Sequence, residues 1–141
     1  MELISDNGVS RVFRDGMFVV KHQPKFMTDN EIWCLLRMRS SGFVPFAEQT
    51  GLEEIRLEFI RKEIVTNKSF FKNWMRPVLD ALYEARIRHG DLTEYSVLVR
   101  DNKPVLIDFS ESRLWDDPRQ DKRPEGDSFW LKKTAEKLCD L

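Results

Sequence analysis

From Glu2 to His22 apolar and polar residues alternate with the two-residue period of half-buried strands. Residues 2–5, 10–14 and 17–22 are predicted strands, separated by an Asp6-Asn7-Gly8 turn and an Asp15-Gly16 hairpin turn. Asp-Gly between alternating runs is the strongest local signal in the chain, and it predicts a three-stranded antiparallel sheet with Lys21 near the end of its third strand. Pro24 has no ladder donor and ends the sheet. The period then changes. Thr28-Asp29-Asn30-Glu31 opens a predicted helix with Ile32, Leu35, Leu36 and Met38 on its apolar face and Arg37 and Arg39 facing water, closed by Ser40-Ser41-Gly42. Residues 43–46 are predicted as a short strand, 51–54 as a turn and 55–60 as another cleanly alternating strand.

The second half reads differently. Residues 61–68 are a polar connector. Phe70, Trp74, Val78, Leu79, Leu82 and Tyr83 set a helical period over 69–87, and Pro77 places the regular helix mainly after Met75. Val97-Leu98-Val99 and Val105-Leu106-Ile107 flank the polar turn Arg100-Asp101-Asn102-Lys103 and predict a hairpin. Residues 110–126 are predicted as a loop and 127–138 as a last helix, with Phe129, Trp130, Leu131, Ala135 and Leu138 inward. The expected class is α+β: five short strands and one helix up to residue 60, then a mainly helical remainder.

The hairpin carries the most pointed chemistry. His89-Gly90-Asp91-Leu92-Thr93 precedes its first strand and Ile107-Asp108-Phe109 follows its second, so Asp91 and Asp108 come to the same end. Paired acids on a rigid scaffold suit metal-assisted phosphoryl transfer, one accepting a proton and the other holding a cation. Elsewhere single features have two readings. Glu31 stands three residues after Thr28, which is also a capping box, and a strand-end lysine such as Lys21 is ordinarily a solvated charge.

Composition narrows the class. The 141 residues make one ordinary domain or two very small lobes, and 41% hydrophobic with 33% charged residues predicts a folded chain. The net charge of −1 argues against a general nucleic-acid surface. Cys34 and Cys139 form no C-x-x-C pair, so no zinc site is expected, and Cys34 reads as a buried thiol. The absence of a long apolar run or of a signal-peptide pattern makes a soluble cytoplasmic setting the expectation, with no membrane partner.

The order of parts changes the weighing. A glycine turn between the first two strands, a lysine on the third, a glutamate in the next helix, an alternating strand, a long helix, H-x-D and then I-D-F occur in succession. His89-Gly90-Asp91-Leu92-Thr93, Val97-Leu98-Val99 and Leu106-Ile107-Asp108-Phe109-Ser110 resemble the atypical, RIO-like and lipopolysaccharide-kinase-like branch of the protein-kinase superfamily. The small kinase of the KEOPS complex and aminoglycoside-phosphotransferase-like sequences share this H-G-D-L form. The resemblance runs from Gly8 to about Leu138.

It implies a minimal two-lobed kinase-like fold, with a five-stranded N-lobe over 1–60 and a truncated C-lobe over 61–141. It implies ATP with Mg²⁺ or Mn²⁺ as cofactors. Asp91 becomes the catalytic-loop aspartate, Asp108 the metal aspartate, Lys21 the phosphate lysine and Glu31 its partner. The Gly8 turn with Ser10 would cover phosphates, and backbone groups of Glu58, Phe59 and Ile60 would meet an adenine. His89 would pack the loop structurally, and Asp127 would anchor it; alternatively Asp127 is a helix N-terminal acid favoured by the dipole. Ser96 stands where the family usually has a metal-binding asparagine, and a neutral hydroxyl is a poorer ligand. Ser110 replaces a frequent glycine. Residues 110–126 are too short for a long activation segment and hold no A-P-E tripeptide.

The function expected is a minimal atypical serine/threonine kinase, autophosphorylating or acting on an unidentified protein substrate. Alternatives are a nucleotide-binding pseudokinase or interaction module, a small-molecule phosphotransferase and, last, a metal-dependent nuclease. Arg113, Arg119, Lys122 and Arg123 are either a solvated run or a loop that attracts acidic substrates. The helix over 127–138 is a candidate surface for a partner protein or a homodimer.

Overall fold

The computed structural model describes residues 1–61, 68–93, 95–110, 112–114, 127 and 132–134. Most of the predicted connector over 61–68, most of the loop over 110–126 with Arg119, Lys122 and Arg123, and most of the last helix lie outside the described residues.

Alternation at the start of the chain produces the sheet it predicts. Strands β1 (Glu2–Asp6), β2 (Arg11–Asp15) and β3 (Phe18–His22) are followed by helix α1 (Lys25–Met38) and strands β4 (Ala47–Gly51) and β5 (Glu54–Glu58). The five strands are all antiparallel in the order β1-β2-β3-β5-β4. Gly16 turns β2 into β3 at φ +62°, a conformation open to glycine without a Cβ clash. The register pairs Val12 with Lys21 and Lys21 with Ile55, so these three side chains share one face of the central strands.

Helix α1 begins three residues earlier than the Thr28 start. Pro24 precedes it, and Thr28 lies inside it, buried, with its hydroxyl donating to Gln23 O at 3.3 Å. That removes the capping-box reading of Thr28 and Glu31. Thr28, Glu31, Leu35 and Met38 repeat at helical spacing and form the buried stripe, joined by Ile32 and Cys34. Leu36, expected inward, is exposed, because its position falls on the opposite side of that stripe. Residues 43–46 form no strand; β4 begins only at Ala47, with Phe43 and Val44 acting as core plugs from an irregular segment.

The helical expectation for 69–87 is corrected at its start. Helix α2 runs from Lys68 to Ala85, beginning more than two turns before Pro77, which sits in its interior. One missing N–H is tolerated there because the amphipathic face continues on both sides of it, through Trp74, Val78 and Leu82. The chain leaves α2 through Arg86 at φ +56° into the short strand β6 (Ile87–Arg88). The hairpin follows as predicted, β7 (Val97–Arg100) with β8 (Lys103–Leu106), turned by Asp101 and Asn102 at φ +53° and +59°. A strand not foreseen, β9 (Arg113–Leu114), pairs with β6 inside the segment read as loop. Residues 127 and 132–134 are helical.

One apolar core joins these parts. Leu35 and Met38 of α1, Phe43 and Val44, Val78 and Leu82 of α2, Ile87, Leu92, the inward positions Val97, Val99 and Leu106 of the hairpin, and Phe109 form a single buried cluster. No helix among the described residues is long and apolar enough to cross a membrane.

Candidate functional site

The site grows from three buried or half-buried charges on three different elements. Lys21 Nζ, on β3, lies 3.0 and 3.2 Å from the two carboxylate oxygens of Glu31 on α1, and 3.2 Å from Asp108 Oδ1 just after β8. Burial pulls the Lys21 pKa down, but the charges of Glu31 and Asp108 and hydrogen bonds to both outweigh it and hold it above 10.5. Burial alone would raise Asp108; Lys21, with Ser110 Oγ donating at 3.0 Å, reverses this and leaves its carboxyl below 3.8. Burial pushes Glu31 above 4.5 against the pull of Lys21. We take the pair as charged, because the ammonium meets three carboxylate oxygens and one of those acids is firmly ionised.

His89 holds the second acid's loop to the first. Its Nε2–H donates to Ile107 O at 2.8 Å, next to Asp108, and its Nδ1 accepts the Asp91 N–H at 3.2 Å. Those two partners fix the tautomer, since a carbonyl can only accept and an amide only donate. Desolvation lowers the pKa of this fully buried ring, partly offset by the Ile107 carbonyl and by Asp127, Asp108 and Asp91, so the imidazole is neutral. Phe109 packs against it edge-on at 4.6 Å. Asp127 accepts the backbone N–H groups of His89 (2.8 Å) and Gly90 (3.0 Å), and Thr134 Oγ1 donates to Leu92 O at 2.9 Å. The C-terminal helical residues therefore pin the 89–92 backbone at three points.

Ser96 faces inward. Its hydroxyl donates to Asp91 O at 2.7 Å and accepts the Thr93 N–H at 2.8 Å, and the residue is buried. It ties the loop to itself, an arrangement that leaves it badly placed as the metal ligand expected from its position.

Next to Lys21 is an apolar cavity of about 280 Å³. Ile4, Val12 and Val19 line it from the sheet, and Leu98 and Ile107 from the hairpin, with Lys21, Glu31 and Asp108 at one end and residues 58–60 at another. Two apolar surfaces facing across a slot suit a planar ring. Of the three residues whose backbone groups were expected to meet an adenine, Glu58 has its N–H bonded to Phe46 O (3.0 Å) and Phe59 to Met17 O (2.9 Å). Ile60 N–H has no partner among the described residues. The Glu58 carboxylate receives the Phe46 N–H at 2.9 Å and pairs with Arg100 of β7 at 2.8 Å, bracing the sheet against the hairpin.

Gly8 and Ser10 are not brought to this cavity. Gly8 lines a separate hollow of about 520 Å³ with Asp6, Arg11, His22, Gln23 and Glu53. Asp6 Oδ1 accepts the Gly8 N–H, and Asn7 Oδ1 accepts those of Val9 and Ser10, so side chains stabilise the turn while Gly8 takes φ +84°.

Two contributors were not read from the sequence. Tyr95, exposed, sits at the cavity rim. Asn30, one residue before Glu31, reaches the carbonyls of 109, 110 and 112. Its adjacency to Glu31 was the only available signal, and a polar residue on a helix is too common to single out.

A lysine on the third strand of a five-stranded antiparallel sheet, held by a helix glutamate and facing an aspartate beyond an H-G-D loop, is the layout of a protein-kinase-like fold with a small C-terminal part. A family model described as RIO domain matches residues 21–127, more than half of the chain. The chain belongs to the RIO domain family, an atypical serine/threonine-kinase family. The RIO-type serine/threonine-protein kinase Rio1 of Methanocaldococcus jannaschii is 39% identical over 51 residues, covering 36% of this chain and 18% of that protein. The aligned stretch thus spans less than a fifth of that relative's length.

Proposed function

We propose that the chain is an ATP- and Mg²⁺-dependent phosphotransferase, a minimal atypical serine/threonine kinase acting on itself or on a protein substrate. The observation that carries this reading is the Lys21 ammonium held between Glu31 and Asp108 at the charged end of an apolar slot. In it, the slot takes the adenine, with Ile60 N–H as donor. Lys21 meets the phosphates as a fixed point charge, oriented by Glu31. Asp91 accepts the proton of the attacking hydroxyl, and His89 and Asp127 keep its loop in place. In this reading residues 1–60 and 61–141 form the two lobes, and the setting is cytoplasmic.

Mg²⁺ fits the donors present. Magnesium is ordinarily held by one or two carboxylates together with substrate phosphates and water, and Asp108 offers a half-exposed, ionised carboxylate beside Lys21. The ion would supply charge neutralisation on the transferring group.

Ser96 favours a second reading. With its hydroxyl bonded within the loop, the second metal ligand of the superfamily is missing, which suits a nucleotide-binding module without turnover. Incubation with labelled ATP and Mg²⁺ or Mn²⁺, alone and with a generic protein acceptor, separates the two. Label transfer by wild type and not by Asp108→Ala supports the kinase. Nucleotide binding with no transfer to any acceptor overturns it in favour of the module, and transfer only to small hydroxyl compounds favours a small-molecule phosphotransferase.

A further inference from the structure

Helix α1 places two neighbouring side chains on two different tasks. Glu31 turns to Lys21, while Asn30, a step of the helix away, turns to the chain beyond Asp108. Asn30 Nδ2 donates to Ser112 O at 2.6 Å, Ser110 O at 3.1 Å and Phe109 O at 3.3 Å. Three carbonyl oxygens converge on one group, so that group must be the amide nitrogen and not its oxygen. Two hydrogens serve three acceptors, and the segment is drawn into a tight turn, closed further by Ser112 N–H to Phe109 O at 3.1 Å and Ser112 Oγ to His89 O at 2.9 Å. At the head of this turn Asp108 takes φ +65°, a left-handed conformation that a residue with a Cβ holds only when its surroundings enforce it.

We infer that Asn30 is a positioning residue that locks the turn after Asp108 to helix α1, so that Glu31 and Asp108 reach Lys21 as one unit. The inference rests on the reading of Asp108 as a metal-binding carboxylate. It goes beyond that reading in naming what sets the carboxylate's geometry. The device is built from backbone carbonyls of 109, 110 and 112 and one side chain of α1, so it orders the turn with no added phosphate.

The test uses the full chain as Asn30→Ala and as Asn30→Asp. The aspartate has the shape of asparagine but no donor, and turns an oxygen toward three oxygens; it separates hydrogen bonding from packing. Two measurements are made. Amide exchange in the peptide covering 105–114 is expected to rise about tenfold or more in both variants without nucleotide, with β3 and β5 peptides unchanged. Affinity for a non-hydrolysable ATP analogue, measured with Mg²⁺ and with EDTA, is expected to lose about fivefold or more of its magnesium-dependent gain, while the affinity in EDTA stays within about twofold. A merely structural role lowers both affinities together, and that result overturns the inference. Unchanged exchange over 105–114 overturns it as well. A wild type with no magnesium-dependent gain sinks the metal role of Asp108 and the coupling with it, whereas a full gain in both variants sinks the coupling alone.

Discussion

The sharpest quantitative prediction concerns the Lys21–Glu31 pair. Its side chains are 10% and 2% exposed, so the pair is desolvated, and removing one member leaves a buried charge. Such losses cost about 3–5 kcal/mol when nothing compensates. Here Asp108 remains 3.2 Å from the ammonium, but its side chain is 45% exposed and the contact is partly screened. Glu31→Gln, which keeps the size and one acceptor oxygen, is therefore expected to cost about 2–3 kcal/mol. That corresponds to a drop in Tm of roughly 8 °C for a domain of this size. Lys21→Met is expected to cost less, about 1–2 kcal/mol, because burial already pushes Glu31 toward its neutral form and it escapes the penalty by protonation. Replacing both, as Lys21→Met with Glu31→Leu, removes two desolvation costs at once and is expected to land within about 1 kcal/mol of wild type. A urea-unfolding double-mutant cycle built on Lys21→Met and Glu31→Leu reads the coupling directly. Additive effects, or a Glu31→Gln cost under about 0.5 kcal/mol, would show that the pair is solvated and refute the reasoning.

Other outcomes follow from the same geometry. Asp127→Ala strips the acceptor from two backbone N–H groups and is expected to destabilise by about 2–3 kcal/mol, with Asp127→Asn roughly half of that because one acceptor oxygen remains; equal losses would contradict it. His89 is held below 6.5 by burial, so the unfolded chain takes up a proton that the folded one resists. Stability is then full above 6.5 and falls as the pH drops below it, by up to about 1.4 kcal/mol per pH unit, and denaturant curves with constant midpoint from about pH 7.5 to about pH 5.5 would refute this. Arg86 is exposed and left-handed directly after α2, so Arg86→Gly is expected to raise stability by about 0.5–1 kcal/mol, and a lowered Tm would count against the backbone argument. Ser96→Ala removes the hydroxyl that bonds the Thr93 N–H and the Asp91 carbonyl and is expected to cost about 1–3 kcal/mol even without nucleotide; a neutral variant would restore Ser96 as a residue kept for a ligand.

What could be read in the sequence was whatever depends on short-range pattern. Strands β1, β2, β3 and β5 were legible because they alternate and Asp15-Gly16 has one good conformation, β4 was not, and the hairpin was legible because Asp101 and Asn102 tolerate positive φ. Asp108 was legible from the hairpin that brings it to the same end as Asp91, but its meeting with Lys21 was legible only through the order of parts along the chain, since nothing local says that residues so far apart will lie 3.2 Å from each other. Long-range packing settled the remainder. Helix α1 starts at Lys25 because Pro24 leaves the sheet already near helical φ, which overrides the better capping residue Thr28. Pro77 stays inside α2 because the buried face on both sides outweighs one lost hydrogen bond. Strand β9 is two residues long and exists only through its pairing with β6, so no periodicity announces it. Ser96 is the instructive case. Its position relative to Asp91 points to a metal, while its side chain is as short as a loop-bridging residue requires. A hydroxyl on one Cβ reaches the Asp91 carbonyl and the Thr93 amide together, and at 2.7 and 2.8 Å those bonds compete directly with any cation for the same oxygen. In this chain the oxygen goes to the loop, so in the function proposed above a metal would rest on Asp108 and on the contacts that hold that carboxylate in place.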